Sequence, residues 1–166
     1  TNFVRMWQDE WFISSLKNSF IYSFVSVVLT TGLGLILAVL VERYLLKGKS
    51  IVRLMFFTPY VTSVVVAAFV WQMMLSKQGI IQAAFGIFGI FDLPQWLGDP
   101  GWALWVIIMI GVWRTLGYAF VIYLAGLQGI PKELYESAEM DGAKERIILF
   151  NITIPLLRST TFFVVI

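Results

Sequence analysis

The sequence predicts an all-α, polytopic transmembrane helical bundle with three full spans and the start of a fourth. Apolar residues make up 59% of the 166 positions and charged residues 13%, whereas soluble domains have about 45–50% and about 25%. Charge-free runs reach the roughly 20 residues that cross a bilayer as a helix. Basic residues also alternate between the connecting loops, as the enrichment of Lys and Arg in short cytoplasmic loops requires.

The predicted spans follow each other closely. The first charge-free run extends from Asn18 to Val41, and the second extends from Leu54 to Ser76. A third apolar stretch runs from Trp102 to about Gln128 and contains one charge, Arg114, and a fourth begins near Ile152. Buried helices of soluble proteins can also be apolar all round, but three in succession at spanning length favour a membrane.

The loops between the spans differ in their basic residues. Residues 42–53 and 129–151 are rich in Lys and Arg, whereas residues 77–101 contain one Lys and two Asp. We therefore expect the N-terminal segment and residues 77–101 outside, and the two basic loops in the cytoplasm. Within the outer loop, residues 79–91 are too short to span and are expected to lie at the interface or to re-enter it. The basic residues of the inner loops are Arg43, Lys47, Lys49, Arg53, Lys132, Lys144 and Arg146.

Composition excludes several classes of function. The chain has no Cys and no His, so we predict no disulfide, no thiolate metal site and no catalytic histidine. A net charge of +2 without a basic run argues against nucleic acid, and no glycine-rich loop with Lys-Ser/Thr is present to bind ATP. We predict no cofactor. No signal-peptide pattern is visible, and the chain stops inside an apolar run, so we expect one transmembrane domain over residues 1–166 that is a fragment of a longer protein.

The segment after the third span predicts two short helices joined by a glycine turn. Pro131 suits the first turn of a helix, and the acidic Glu133 and Glu136 are favoured near its N-terminus. Gly142 suits the left-handed residue that ends a helix, and a second helix can begin at Ala143. Such a helical hairpin can be an amphipathic surface loop, or it can dock into the groove of a partner.

One spacing pattern within this segment is specific. The run Glu136-Ser-Ala138 is followed after three residues by Gly142, and nine further residues precede Ile152-Thr-Ile-Pro155. This pattern resembles the EAA motif of the permease subunits of ABC (ATP-binding cassette) importers, with Ser137 in place of Ala and Ile154 in place of Leu. The wider context, residues 124–143 with Phe56–Tyr60 and Trp113, is similar to the carbohydrate-uptake branch.

The resemblance implies a transporter and not an enzyme. In this family the EAA loop, here about residues 129–155, docks into a cleft of a separate ATPase subunit. Two permease subunits, identical or different, form the path through the lipid bilayer, and an extracytoplasmic solute-binding protein delivers the solute, here a sugar or oligosaccharide. The cell (inner) membrane of a bacterium or archaeon is the implied location. A permease for amino acids or phosphate, and a channel or non-transporting scaffold, stay open as alternatives.

The resemblance also assigns roles to residues of the loop. Glu136 would pair with a basic group of the ATPase, and Gly142 would supply the turn that the cleft requires. Tyr135 and Met140 would be apolar contacts of the ATPase, although packing against the chain's own spans is an equal alternative. The full set implied for the ATPase contact is Leu134, Tyr135, Glu136, Ser137, Ala138, Met140, Asp141, Gly142 and Pro155.

Arg114 lies near the middle of the third span. A charge there costs about 2.5–3.5 kcal/mol on insertion scales, so the guanidinium should face a cavity or a partner. Arg114, with its neighbours Trp113 and Tyr118, is therefore a candidate for the translocation path. The alternatives are an acidic partner elsewhere, snorkelling towards the interface, and aromatic rings that contact only lipid or core.

Four glycines and one proline in the spans are assigned to packing and shape. Gly32 and Gly34 in the first span, and Gly111 and Gly117 in the third, are expected to let helices approach closely, as small residues do in membranes. Pro59 is expected to kink the second span.

Overall fold

The computed structural model describes residues 2–44 and 48–166, with side chains from Arg5 onward. Lys47, one of the basic residues assigned to the inner loop, lies outside the described residues. All regular structure in the described part is helical, which confirms the all-α prediction. The helices are α1 (Asn2–Trp7), α2 (Glu10–Tyr44), α3 (Lys49–Val61), α4 (Val64–Leu75), α5 (Ile80–Ile87), α6 (Pro100–Gln128), α7 (Lys132–Met140), α8 (Glu145–Ile148), a π-helical turn (Leu149–Thr153), α9 (Ile154–Leu156) and α10 (Arg158–Val165).

Three helical stretches of the described residues are long and apolar enough to cross a membrane: Glu10–Tyr44, Val64–Ile87 and Pro100–Gln128. The number of full spans therefore agrees with the sequence prediction. The bounds of the second one do not, because α3 ends before α4 begins and the qualifying stretch joins α4 to α5. The break in the predicted run follows Pro59, which lies inside α3 and has no N–H with which to continue the helical hydrogen bonding.

The C-terminal segment of the chain forms a bent helical pair, Glu145–Leu156 and Arg158–Val165, with an angle of 62°. The pair passes the same length and composition test, in agreement with the predicted start of a fourth span. Its first helix begins at Glu145 and not at Ala143, because the backbone of Lys144 is extended (φ −69°, ψ 154°).

A π-helical turn precedes Pro155 within this pair. The N–H of Ile154 donates to the carbonyl of Leu149, five residues earlier. A proline ring clashes with the carbonyl four residues before it in an ordinary α-helix. The wider π turn moves that carbonyl away, so the helix passes Pro155 and bends only at Leu157.

The chain divides into two compact units, Thr1–Val28 with Thr62–Trp113 and Leu29–Val61 with Arg114–Ile166. Both long helices, α2 and α6, contribute to each unit. The single transmembrane domain expected from the sequence stays a prediction.

In the first unit, aspartates define the starts of the long helices. A side-chain oxygen of Asp9 accepts from the N–H of Trp11 at 2.9 Å, and Asp99 accepts from Gly101 at 2.8 Å. Asp99 directly precedes Pro100, the first residue of α6. An aspartate before a helix accepts hydrogen bonds from the free N–H groups of the first turn. A proline at the first position has no N–H, so one fewer N–H group needs an acceptor. In the structure α6 begins at Pro100, two residues before Trp102, where the sequence analysis began the third span.

In the second unit, glycines allow helix backbones to touch. A Cβ on Gly34 would stand 2.8 Å from that of Ala119, and a Cβ on Gly117 would overlap the backbone carbonyl of Phe56. The expectation of close packing is also met in the first unit, where the Tyr22 hydroxyl lies against Gly111. The buried core around these contacts consists of Ala38, Val41, Phe120, Tyr123, Leu124, Leu127, Ile130 and Leu157.

The same expectation is wrong for Gly32. Among the described residues, no atom of another part of the chain lies within 4 Å of the position that its Cβ would occupy. A side chain there would meet open space, so Gly32 has no packing role among the described residues.

The two kinds of glycine give a matched test of packing. We expect Gly117→Ala to destabilise the full-length protein by about 1–3 kcal/mol or more, because the methyl group must push α3 away from α6. Gly32→Ala should be neutral or slightly stabilising, because alanine is the better helix former. Thermal unfolding of both variants in detergent measures the difference, and equal melting temperatures would contradict the contact between α3 and α6.

Candidate functional site

The predicted glycine turn ends α7 with a complete set of backbone hydrogen bonds. Gly142 has φ +75°, the left-handed conformation that glycine adopts without strain. Its N–H donates to the carbonyl of Glu139 at 3.0 Å, and the N–H of Ala143 donates to Ala138 at 2.9 Å. These two bonds are those of a Schellman motif, which satisfies the last carbonyls of a helix. The turn is therefore sharp and closed, and it redirects the chain into α8.

The side chains of α7 separate into an inner and an outer set. Tyr135 and Ala138, three residues apart, are partly buried, and Tyr135 packs against the core of the second unit. Leu134 is 43% exposed and Met140 is 88% exposed. Glu136 is exposed too, and it shares a face with Met140 because four residues make about one helical turn. The exposed surface of α7 thus presents the Glu136 carboxylate beside Met140, whereas Leu134, two residues before Glu136, is exposed on another face.

Tyr135 is engaged within the chain. Its hydroxyl lies 3.3 Å from the hydroxyl oxygen of Thr153, and Thr153, only 4% exposed, also donates to the carbonyl of Ile148 at 3.4 Å. A cavity of about 310 Å³ lies beside this pair, and Glu42, Arg43, Lys132 and Glu139 are among its lining residues. The geometry favours the alternative left open for Tyr135, packing against its own chain.

The remaining residues assigned to the loop have local roles in the structure. Ser137 donates from its hydroxyl to the carbonyl of Glu133 at 2.7 Å, and Asp141 is the C-terminal cap of α7. Pro155 lies in α9, beyond the π turn. It therefore shapes the bent helical pair and does not belong to the outer surface of α7.

The C-terminal end of α2 carries a polar cluster that the sequence analysis did not find. Glu42 pairs with Lys49 at 3.0 Å between side-chain nitrogen and oxygen, and it accepts from the side-chain amide of Gln128 at 3.3 Å. These contacts tie the end of α2 to the start of α3 and to the end of α6. A charge count could not have found them, because Gln128 lies 86 positions away along the chain.

The next two residues of α2 contact a different element. Arg43 lies 3.7 Å from a carboxylate oxygen of Glu145, and the hydroxyl of Tyr44 donates to the other oxygen at 3.0 Å. Glu145 is the first residue of α8 and stands three positions after the glycine of the turn. A carboxylate at that place also interacts favourably with the free N–H groups of α8.

The candidates for the translocation path fall into two groups. In the second unit, the Arg114 guanidinium carbon lies 5.9 Å from the ring centre of Tyr60, within the range of a cation–π contact. Tyr60 stacks on Tyr118 with 5.0 Å between ring centres. In the first unit, Trp113 packs edge-on against Trp71 at 5.4 Å. The structure therefore brings Arg114 and Tyr118 together through Tyr60, a residue that the sequence analysis did not single out as a candidate.

The charge of Arg114 is incompletely compensated. Its buried Nε has no hydrogen-bond partner, and no ion pair of Arg114 is found among the described residues. Within the same part of the chain, no three His, Cys, Asp or Glu side chains are close enough to hold a metal ion. The arrangement places one cation beside two stacked aromatic rings in the second unit.

Comparison with known proteins places the chain in one family. The family model described as "Binding-protein-dependent transport system inner membrane component" matches residues 12–166. The chain is 35% identical over 163 residues to the lactose transport system permease protein LacF of Rhizobium radiobacter, covering 98% of this chain and 55% of that protein. It is 34% identical to the sn-glycerol-3-phosphate transport system permease protein UgpA of Agrobacterium fabrum, covering 99% and 56%.

A solved structure is similar in fold as well as in sequence. A chain of a bacterial alginate ABC transporter, crystallised in complex with an alginate pentasaccharide-bound periplasmic protein, has a TM-score of 0.88 and 28% identity. The match covers 96% of this chain and 56% of that one. The present chain therefore spans little more than half the length of these relatives.

The left-handed turn after α7 can be tested separately from packing. A Cβ on Gly142 would meet no atom within 4 Å, so Gly142→Ala should cost only the backbone strain of about 1–2 kcal/mol. The end of α7 should then open more often, and trypsin should cut the full-length protein in detergent after Lys144 or Arg146 roughly five- to thirtyfold faster. Gly142→Asn should show a smaller increase.

The matched control is Gly129→Ala, because Gly129 is absent from the positive-φ residues and its Cβ would make only ordinary contacts at 3.4–3.8 Å. Equal cleavage rates for the alanine variants at the two positions would contradict a strained requirement for glycine after α7.

Proposed function

The chain belongs to the family of binding-protein-dependent transport system inner membrane components, and from this premise we propose that it is part of the permease subunit of an ATP-driven importer. Membership makes it a multi-pass protein of the inner membrane. The relatives are transport permeases and not enzymes. On this proposal ATP hydrolysis takes place in a separate ATPase subunit, to which the EAA loop couples the spans.

The observation that carries the proposal is the outer surface of α7. Glu136 and Met140 are exposed on one face of a short helix and Leu134 on another, and the turn at Gly142 closes the end of that helix. Exposed apolar side chains on the cytoplasmic side of a membrane protein are typical of a protein contact. A carboxylate among them gives the contact a charge requirement, and a basic residue of the ATPase would satisfy it.

The proposed mechanism is mechanical. When two ATPase subunits close on ATP, they carry the two α7 helices of a permease pair towards each other. The inner surface of α7 follows, since Tyr135 packs on the core and lies next to Thr153 of the π turn. Movement at the ATPase therefore reaches the helices of the second unit, and the path alternates between its inward- and outward-facing states.

The partners proposed for the complex are two ATPase subunits, a second permease subunit and an extracytoplasmic solute-binding protein. The family description names dependence on a binding protein, and the alginate transporter was crystallised with a periplasmic protein. A non-transporting scaffold or a channel would have no use for an exposed, closed docking helix of this kind. Both alternatives predict that no ATPase co-purifies with the full-length protein.

The proposed solute is a sugar or oligosaccharide. The relatives carry lactose, sn-glycerol-3-phosphate and alginate in their names. We propose that Arg114, Tyr118 and Tyr60 line the path, because an aromatic face suits the apolar face of a sugar ring and a cation suits hydroxyl, phosphate or carboxylate oxygens. Trp113, which packs against Trp71 in the first unit, stays a candidate for the path on the ground of the sequence. A permease for amino acids or phosphate is the alternative that uptake assays would reveal.

The coupling role is tested by removing the exposed carboxylate. In the full-length permease expressed in its host, Glu136→Ala should lower ATPase co-purification and ATP-dependent uptake roughly tenfold or more, because its partner charge is left unpaired at the interface. Lactose, sn-glycerol-3-phosphate and alginate oligosaccharides serve as the labelled solutes. The matched control is Glu133→Ala, an exposed carboxylate one turn earlier. ATPase that never co-purifies with the unmodified permease would refute the proposal, and equal retention by both variants would refute the role of Glu136.

The path is tested at its cation. Arg114→Gln should reduce uptake severalfold while ATPase co-purification stays at the unmodified level, because the change lies far along α6 from the docking helix. Arg53→Gln removes an exposed positive charge at the start of α3 and provides the control. Unchanged uptake in Arg114→Gln would assign the guanidinium to packing against Tyr60 alone.

A further inference from the structure

We propose that Glu145 is a positioning residue that links the EAA loop to α2, so that the first span and the ATPase respond to each other. The inference rests on the proposed function, because it concerns how a docking loop passes its displacement to a span. It goes beyond the EAA loop itself, since it assigns a coupling role to residues 43 and 44 at the end of α2.

The contacts converge on one carboxylate. Arg43 reaches one oxygen of Glu145 and the Tyr44 hydroxyl donates to the other, so both oxygens are held from the same helix end. In the part of the chain that the structure describes, these are the polar side-chain contacts between α2 and residues 129–166. Tyr44 and Glu145 are 101 positions apart in the sequence, so the link joins distant parts of the chain.

Packing between the same elements is interrupted on both sides of the link. The cavity of about 310 Å³ beside Tyr135 separates the end of α2 from α7. A second, apolar space of about 450 Å³ lies between residues 32–44 of α2 and residues 145–154. Arg43 lines both spaces. Apolar contact is kept farther along α2, where Ala38 and Val41 belong to the same buried cluster as Leu157, so Glu145 supplies the polar part of the connection at the end of α2.

The neighbouring contacts of α2 allow a displacement of its end to reach other helices. Glu42 is already tied to Lys49 of α3 and to Gln128 of α6. A displacement that reaches Arg43 and Tyr44 is therefore passed to three helices at once. Glu145 stands three residues after Gly142, so it moves with the turn that ends the docking helix.

The strength of the link suits a reversible connection. The side chain of Glu145 is 69% exposed and that of Arg43 is 28% exposed, and exposed ion pairs are weak. A weak contact can form in one state of the transporter and break in another without trapping either. Loss of one exposed ion pair and one hydrogen bond corresponds to a change of about three- to tenfold in an equilibrium.

The test uses the purified full-length permease complex with its ATPase in lipid nanodiscs. Release of inorganic phosphate from ATP is measured with and without the extracytoplasmic binding protein of the same host. The binding protein acts on the spans and ATP acts at the loop, so the ratio of the two rates reports the coupling between them. We expect Glu145→Ala to lower this ratio about three- to tenfold while ATPase retention is unchanged.

Charge exchange separates positioning from a structural role. Arg43→Glu should lower the ratio as Glu145→Ala does, and the double variant Arg43→Glu/Glu145→Arg should restore it. Tyr44→Phe should give a smaller change in the same direction, because it removes only the hydrogen bond. Glu145→Gln keeps the size of the side chain and an oxygen that can accept from Tyr44, so it removes the charge with little risk of a folding defect. The control is Arg146→Gln, an exposed charge next to Glu145 with no ion pair among the described residues.

Each contrary outcome has a distinct meaning. A normal ratio in Glu145→Ala, or a double variant that is no better than the single ones, would overturn the link and leave the proposed function standing. A loss of ATPase retention in Glu145→Ala that charge exchange does not repair would show a role in folding alone, which also overturns the link. An unmodified permease that retains no ATPase would overturn the proposed function, and the link with it.

Discussion

The close approach of α3 to α6 at Gly117 is the constraint on which the second unit depends. Helices in a bilayer gain nothing by hiding apolar side chains from lipid, so van der Waals contact between backbones provides much of their association. The missing side chain of Gly117 lets α6 lie directly against the carbonyl of Phe56. Tyr60, one turn after Phe56, then meets Tyr118, the residue after Gly117, and the two rings stack. The environment of Arg114 follows from the same contact, since its cation–π partner is that tyrosine.

The second unit combines two kinds of interaction that serve different purposes. Apolar packing dominates along the spans, where an unpaired charge is costly. Ion pairs occur at the C-terminal end of α2, where water screens them and weakens each one. Close packing around Phe120 and Leu124, both fully buried, lets the helices of the second unit move together as a rigid body. The weak polar contacts at the end of α2 can rearrange when that body moves.

Much of the fold follows from the sequence because bilayer physics leaves few options. Long apolar runs that cross a bilayer as single segments are helices, since a helix satisfies its own backbone in lipid, and the first and third spans were placed on that ground, the third despite the charge of Arg114. The turn at Gly142 was also predictable, because one residue type suits that conformation. Aspartate before proline would in the same way have marked the start of α6.

The sequence analysis failed where a contact joins distant residues or where two local rules compete. The break between α3 and α4 was expected as a kink within one helix, yet Pro59 ends the helix two residues later. The polar cluster on α2 depends on which helix ends meet in space, and no spacing rule supplies that information. Tyr60 was noticed only as part of a family pattern. Its stacking partner lies 58 positions away on another helix, as the contact of the two rings shows.

Because of the π turn before Pro155, the fixed spacing of the EAA pattern determines the direction in which the later side chains point around the helix axis. Each residue in an α-helix advances the side-chain direction by about 100°, since a turn holds 3.6 residues. A π turn carries more residues than an α turn, so it resets the direction in which every later side chain points. Leu157 reaches the core only at the resulting phase. Adding or deleting one residue between Gly142 and Pro155 would leave the loop almost the same length, but it would rotate the following span away from its partners.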